Sequence, residues 1–380
     1  MNPAFIIASS YIGQLGLKAV LAELYARRVR VAPSQTISGS VSILQPILSG
    51  DPALGETLES NVTTLPDAPF LWLVDADDSC GITTCETLSA KYPDRSLTIV
   101  RCPSPPQGIN PKVFKLAAAL ASVRTALFVV LDDDTRLTAP GLRALIDGLN
   151  SGAALATGLP RYHAAEGRYS AWLAEFVNSA AVLTYLPALA FAEPLSIHGM
   201  CYAMRTEDAR RGDVFHVIER CLTDDLALAR HLQREGLRLH QTVQPHDIAT
   251  SVPSLAALLR ILRRWFVFTR LLLDQHPIST RLAVAASYGL PPILLWSLLS
   301  LAFFSLTNAT ALLVTIALRA VLISAVKHRF LGSRVPSLVL VSLLLELAQP
   351  ALLATAYFRS TIQWRKRTIR VHAMDQFEYI

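Results

Sequence analysis

Eleven residues, LFVVLDDDTRL at 127–137, constrain this chain more than any other stretch. The apolar run from Phe128 to Leu131 reads as a buried strand. It stops at three successive carboxylates, Asp132, Asp133 and Asp134. A sheet interior cannot hold three adjacent like charges, so this strand has to end at an open crevice. A second apolar stretch, PFLWLVDADD at 69–78, ends the same way in Asp75, Asp77 and Asp78. A third acidic group, LTDDLALARHLQREG at 222–236, opens a helix that Thr223 or Asp224 can cap.

Between residues 38 and about 250, short apolar strands alternate with amphipathic helices. VSILQPIL at 41–48 is a strand, and DPALGETLESNVTTL reads as a helix with Asp51 at its start and Pro52 in its first turn. TTCETLSAKYP, NPKVFKLAAALASV and APGLRALIDGLN read as further helices, and LTIVRC and ALFVVLDDD as strands. This rhythm predicts an α/β fold with a Rossmann-like mixed, mostly parallel sheet covered by helices on both faces. Ligands of such sheets bind beyond the carboxyl ends of the strands, so the strand-end acids line one crevice.

The rest of the chain is of another kind. Mean hydropathy is +0.38 and only 17% of residues are charged, which places part of the chain in lipid. Three apolar segments, 283–306, 309–325 and 335–357, read as transmembrane helices, with the last open to a re-entrant or interfacial reading. Residues 4–17 are shorter than the roughly 20 a span needs, so the N-terminus is either a short or tilted span or an amphipathic anchor. WLAEFVNSAAVLTYLPALAFAEPL at 172–195 carries Glu175 and Pro187 and reads as an interfacial or core segment, not a span. Residues 255–275, with Arg260, Arg263, Arg264 and Arg270, form a basic helix suited to the membrane interface. Arg27, Arg28 and Arg30 put the segment after them on the cytoplasmic side, and the basic KHRFLGSR stretch reads as a cytosolic loop. The formal charge of +6 suits an anionic membrane or a phosphorylated substrate; it is not gathered into an aromatic-interleaved patch, which argues against nucleic acid. Five scattered cysteines form no CxxC pair and read as small buried side chains.

Paired acids at a strand end can hold a divalent cation that bridges a diphosphate, since Mg²⁺ takes one or two carboxylates plus phosphate oxygens and water. The repulsion is then relieved when the phosphate ligand arrives. A later acid can act as general base on an acceptor hydroxyl. Asp225 is the first choice for that base, and Asp224 with Asp225 structural is the alternative. Solvated strand-end acids and a simple N-cap are the bland reading of the same residues. His198 and His246 are read as structural.

In order along the chain, VSILQPILSGDPAL, VDADD, KYP, GINPK (108–112), LDDDTRL, GLP, HGMCYAMR (198–205), TDDLALA, RRW (263–265) and QWRKRTIRV resemble the family 2 type inverting glycosyltransferases of GT-A fold. Within that class they are most similar to the ceramide glucosyltransferase family, family 21, over residues 38 to the C-terminus. The resemblance implies a membrane-bound enzyme that moves a sugar, glucose, from a UDP-sugar to the hydroxyl of a lipid acceptor such as ceramide, with inversion. A hopanoid polyol taking N-acetylglucosamine, or diacylglycerol, are alternative acceptors. The resemblance implies that Asp75 or Asp77 contacts uracil and ribose, that Lys112 neutralises the diphosphate, and that Gly199 lines the donor site. Asp132 and Asp134 serve the metal, Mg²⁺ or Mn²⁺, with Asp132 also on the donor sugar; Asp225 is the base. Arg264 and Trp265 close the acceptor end and help hold the diphosphate. The family's (Q/R)xxRW pattern has Ile261 at its first position here, with Arg260 or Arg263 as substitutes. The implied organisation is an N-terminal anchor or span (1–30), a GT-A catalytic domain (38–250), an interfacial helix with RRW (255–275), transmembrane helices (283–357) and a basic tail (358–380). The expected location is the bacterial inner membrane, catalytic domain towards the cytoplasm.

Rival readings fit less of the chain. A haloacid-dehalogenase-type phosphatase also places DxD after a strand, but needs Thr or Val where Arg136 stands, and it leaves the apolar helices unexplained. A processive polysaccharide synthase needs more spans for a conduit.

Overall fold

The computed structural model describes residues 2–30, 40–164, 166–332, 337–358, 361–364 and 367–380. It divides into two compact units, one of residues 1–30, 167–192 and 252–370, the other of residues 31–166, 193–251 and 371–380.

The second unit is built on a mixed sheet. Its strands are β1 (Val41–Ile47), β2 (Phe70–Asp75), β3 (Leu97–Cys102), β4 (Leu127–Leu131), β5 (Thr135–Arg136), β6 (Leu155–Tyr162), β7 (Cys201–Arg205) and β8 (Leu239–Ile248). Their order is β3-β2-β1-β4-β7-β6-β8-β5. The β1, β2, β3 and β4 neighbours pair in parallel, as do β6 and β8, while β7 runs antiparallel to both β4 and β6. The predicted mostly parallel sheet is therefore present, with β7 and β5 as its antiparallel members. β1, β2 and β4 are buried along nearly their whole length, which is why they read as continuous apolar runs. Ile43, Trp72 and Val129 pack with Leu58, Leu145 and Leu149 of the covering helices into one core. Strand order reverses between β1 and β4, the point beyond whose carboxyl ends sheets of this kind bind their ligands.

Local chemistry sets the helix starts. Asp78 accepts the Gly81 N–H at 3.1 Å and caps the helix Ser79–Lys91. Asn110 caps Pro111–Leu120, with Pro111 in the first turn where its missing N–H costs nothing. The helix expected from Asp51 starts later, at Leu54–Thr64. Asp51 instead accepts the Ala53 N–H and the N–H and hydroxyl of Ser251.

The other unit is helical. Among the described residues, five helices are long and apolar enough to cross a membrane by length and composition: Pro3–Val29, Arg168–Ala190, Ile278–Ala302, Leu306–Leu331 and Val339–Phe358. Two of these differ from the sequence reading. The N-terminal helix runs unbroken from Pro3 to Arg30, through Gln14 and Lys18. Both polar side chains donate to backbone carbonyls, Gln14 to Ala286 at 2.7 Å and Lys18 to Ser287 at 2.5 Å. Those carbonyls belong to a single π-turn, Ala285–Gly289, whose wider winding leaves acceptors for a neighbouring helix. The helix containing Glu175, Arg168–Ala190, is also long and apolar enough to cross a membrane, and Lys327 pairs with Glu175 at 2.8 Å. Lys327 and Arg329, expected in a cytosolic loop, lie inside the helix Leu306–Leu331; residues 333–336 fall outside the described ones. The expected basic tail contains strands, Thr361–Trp364 antiparallel to Arg367–Val371. Arg365 and Lys366 fall outside the described residues.

Candidate active site

The acids at the carboxyl ends of the strands do different jobs. Asp133 is turned inward, nearly buried, and accepts the Leu48 N–H at 2.8 Å, so it ties the end of β4 to the end of β1. Asp78 accepts the Ser49 N–H at 2.8 Å and the Ser49 hydroxyl at 2.5 Å. These two are architectural. Asp75 at the end of β2 pairs with Lys115 at 2.9 Å. Lys115 is almost wholly buried and also donates to the Ile47 carbonyl, so it fastens the ends of β1 and β2 together. Asp77 is exposed. Asp134 accepts hydroxyls from Thr135 and Thr250, each at 3.1 Å.

Three of the predicted residues meet at a fourth, Lys112. Lys112, in the first turn of Pro111–Leu120, lies 2.8 Å from Asp132 Oδ1 and 3.1 Å from Asp224 Oδ2. It donates a third bond of 2.7 Å to the Gly199 carbonyl. Gly199 is packed against the same acids. A Cβ at that position would stand 3.1 Å from the Cβ of Asp225 and 3.4 Å from Asp224 Oδ2, so any larger residue pushes the acids away. Asp224 and Asp225 are the first residues of the helix Asp224–Arg234, and Asp225 accepts the Leu226 N–H at 2.8 Å.

The electrostatics follow from this packing. Loss of water disfavours a charged Lys112, but Asp132 and then Asp224 outweigh it and hold the ammonium protonated well above the usual lysine range. Burial raises the Asp132 carboxyl; Lys112 opposes that rise without cancelling it, and Asp224 and Asp133 add to it. Burial, then repulsion from Asp224, pushes Asp225 up to about 7, against the Leu226 N–H and Lys112. A carboxylate poised near neutrality is what general base chemistry asks for. Among the described residues Lys112 is the cation paired with Asp132 and Asp224, and Asp225 stands beside them. Among the described residues no three His, Cys, Asp or Glu side chains converge as a cage for a metal ion.

His198 and His246 lie side by side, ring centroids 6.2 Å apart, and burial pushes each down to about 3. Both are neutral at ordinary pH. A Cβ on Gly158 would meet His246 Nδ1 at 2.4 Å, so the glycine makes room for the ring.

Arg264 and Trp265 belong to the helical unit. Trp265 stacks on Phe176 with ring centroids 6.3 Å apart. Arg260, Arg263 and Arg264 line one cavity of about 190 Å³ together with Thr361, Gln363 and Thr368. Both proposed substitutes for the residue at Ile261 thus reach the same space.

Sequence reasoning missed Asn110 and Lys115. Both carried a readable signal. Asn110 precedes a Pro at a helix start, the position of an N-cap, and Lys115 follows Lys112 by three residues on one helix face.

The fold is that of a GT-A glycosyltransferase. A mannosyltransferase from Pyrobaculum calidifontis, solved with GDP-Man and Mn²⁺, superposes with a TM-score of 0.50 at 14% identity, over 93% of this chain and 96% of that one. Glucosyl-3-phosphoglycerate synthase from Mycobacterium tuberculosis, solved with Mn²⁺, UDP and phosphoglyceric acid, matches at 17% identity over 63% of this chain and 77% of its own, with a TM-score of 0.36 that is too low to argue from. No curated protein matches the sequence. The model of the family described as "Glycosyl transferase family 21" matches residues 6–376, nearly the whole length, and the chain belongs to that family.

Proposed function

We propose that this protein is a membrane-bound inverting glycosyltransferase that moves a sugar, glucose, from a UDP-sugar to the hydroxyl of a lipid such as ceramide. The observation that carries this reading is the partly buried cluster in which Lys112 bridges Asp132 and Asp224 beside an Asp225 poised near pH 7. Asp225 takes the proton from the acceptor hydroxyl. The oxygen then attacks the anomeric carbon on the face opposite the diphosphate, the bond to the diphosphate oxygen breaks, and UDP leaves with the electron pair. Lys112 stands beside the developing phosphate charge. The pairing of Asp75 with Lys115 leaves it at the β2 end, where a nucleoside base and ribose would lie, and Arg264 and Trp265 serve the diphosphate and the acceptor end. Five apolar helices suit a lipid acceptor, and the arginines near the end of the first of them support a reading with the sheet unit on the cytoplasmic side of a bacterial inner membrane.

The donor set suits a hard divalent cation. Asp132 and Asp134 offer only carboxylate oxygens, and Asp134 is oriented by neutral hydroxyls of Thr135 and Thr250. Mg²⁺ or Mn²⁺ held there would neutralise charge on the departing diphosphate.

The test is transfer of label from UDP-glucose or UDP-N-acetylglucosamine, with Mg²⁺ or Mn²⁺, into ceramide, diacylglycerol or a hopanoid polyol. Label is expected in one organic-phase lipid, with a loss of about 10²–10⁴-fold in Asp225→Asn, the usual worth of a general base. Equal transfer by Asp225→Asn removes Asp225 from the role and moves it to Asp224. No transfer from either donor to any acceptor sinks the reading.

A further inference from the structure

The helix start at Asn110 is wired to the acids it faces. Its side-chain Oδ1 accepts the Lys112 N–H at 3.0 Å and the Val113 N–H at 3.5 Å, which caps the helix carrying Lys112. Its side-chain Nδ2 donates in the other direction, to the carbonyls of Cys221 at 3.0 Å and Leu222 at 3.1 Å. Its own N–H donates to the Glu219 carbonyl at 2.7 Å. The residue is 2% exposed, so none of these groups has water as a substitute. The carbonyls it holds end the loop just before Thr223, Asp224 and Asp225. From the C-terminal segment, the Met374 carbonyl accepts the Leu222 N–H at 2.9 Å. Lys112 then reaches Asp224 at 3.1 Å, which closes a ring of contacts from Asn110 through Leu222 and Asp224 back to Lys112.

We propose that Asn110 is a positioning residue that fixes the loop carrying Asp224 and Asp225 to the helix carrying Lys112. Asparagine alone combines an acceptor for the cap with two donors for the loop on so short a stem. Asp keeps the acceptor, and its charge suits a helix N-terminus, but it offers no donor to Cys221 and Leu222. Asn110→Asp therefore frees the acids while leaving Lys112 in place, whereas Asn110→Ala frees both. The inference rests on the glycosyl-transfer reading for its kinetic consequence and on the structure alone for the rest.

The experiment pairs two readouts on the full-length protein in detergent. With UDP-glucose and the acceptor that accepts label, Asn110→Asp is expected to lower kcat by about tenfold or more, the scale of a misplaced reacting group. UDP affinity by calorimetry should stay within about twofold, on the scale where a tenfold change is 1.4 kcal/mol. Hydrogen exchange should quicken in Asp224–Arg234 and leave Pro111–Leu120 as in the wild type, while Asn110→Ala quickens both. A kcat within twofold of wild type, or a UDP affinity that falls in step with kcat, overturns the proposal. Should Asn110→Asp fail to fold, the wild-type amides decide: Asn110 and Leu222 exchange as slowly as sheet amides, and fast exchange at either refutes the clamp. A wild-type protein that transfers no sugar sinks the transferase reading but leaves the exchange result to judge Asn110.

Discussion

Two regions of this molecule set a lysine against carboxylates, one fully buried and one partly exposed, and they do it differently. In the helical unit Lys327 meets Glu175 at 2.8 Å with side chains 2% and 3% exposed. Glu175 also accepts the Ser179 hydroxyl and the Leu338 N–H. Arg319 likewise meets Glu346 at 2.7 Å and bonds Tyr11 and Ser342. Among the described residues each of these is a close ion pair of one cation with one anion, completed by hydrogen bonds. In the sheet unit Lys112 faces Asp132 and Asp224 with Asp225 close by, and the balance among these four is negative. A charge pair that closes on itself holds helices in place. A cluster that does not close leaves an electrostatic debt for a ligand to settle, and its position at the strand ends is where a ligand arrives.

The comparison is broken or upheld most sharply by exchanging each lysine for methionine, which keeps the stem and removes the charge. Lys112→Met is expected to lower kcat by about 10²–10³-fold, the usual cost of removing one preorganised electrostatic stabiliser. Its folded yield should fall less than that of Lys327→Met, because the acids left without their cation are 26% and 14% exposed and still reach water, whereas Glu175 is 3% exposed. Lys327→Met leaves Glu175 buried without a cation and should cost about 3–5 kcal/mol, read as lost folded protein and not as a changed kcat of what remains. Adding Glu175→Gln should return most of the yield. Equal loss of thermal midpoint in the two single variants would mean that the sheet cluster is as structural as the helical pair.

The sheet side of this contrast was legible beforehand, and the helical side was not, for a physical reason. The strands showed because β1, β2 and β4 are buried on both faces and so carry unbroken apolar runs. The acids showed because they interrupt those runs. Their division of labour did not show. Asp133 and Asp78 look like their neighbours in sequence, and only the inward turn of the chain onto Leu48 and Ser49 makes them architectural. The full length of the N-terminal helix was hidden for a similar reason. Gln14 and Lys18 interrupt it as polar residues, and the carbonyls that accept their protons lie some 270 residues away, at Ala286 and Ser287. Partners that far along the chain leave no local pattern.

The titration of Asp225 sharpens the comparison next. Its folded-state pKa is raised to about 7, by burial first and Asp224 second. A base must be ionised to act, so kcat should rise with pH through about 7 and level off above it. Stability should run the other way. A carboxyl that binds its proton more tightly in the folded state than in the unfolded one, near 3.9, contributes stability that is full below 3.9 and lost as pH rises to about 7. Asp225→Asn lacks that loss, so its thermal midpoint should exceed wild type at pH 8, with the gain shrinking towards pH 4. A stability profile for Asp225→Asn that parallels wild type from pH 4 to 8 would show that the acid is not held in the strained state its surroundings imply.

The smallest effect separates two acids that the sequence placed on equal terms. Asp75 ends β2 and pairs with the buried Lys115, which also holds the Ile47 carbonyl. Asp77 is exposed. If the crevice floor is what a nucleoside meets, Asp75→Asn should weaken UDP affinity severalfold and also lower the thermal midpoint, because it leaves Lys115 buried without its counter-ion. Asp77→Asn should change affinity by less than about twofold and leave the midpoint alone, as surface substitutions usually do. Calorimetric titration of UDP into the two variants reads the difference directly. The reverse result, a larger loss at Asp77 with an intact fold, would mean that the nucleoside is held by the rim of the crevice, and that the Asp75–Lys115 pair is closed in the same sense as Lys327 and Glu175.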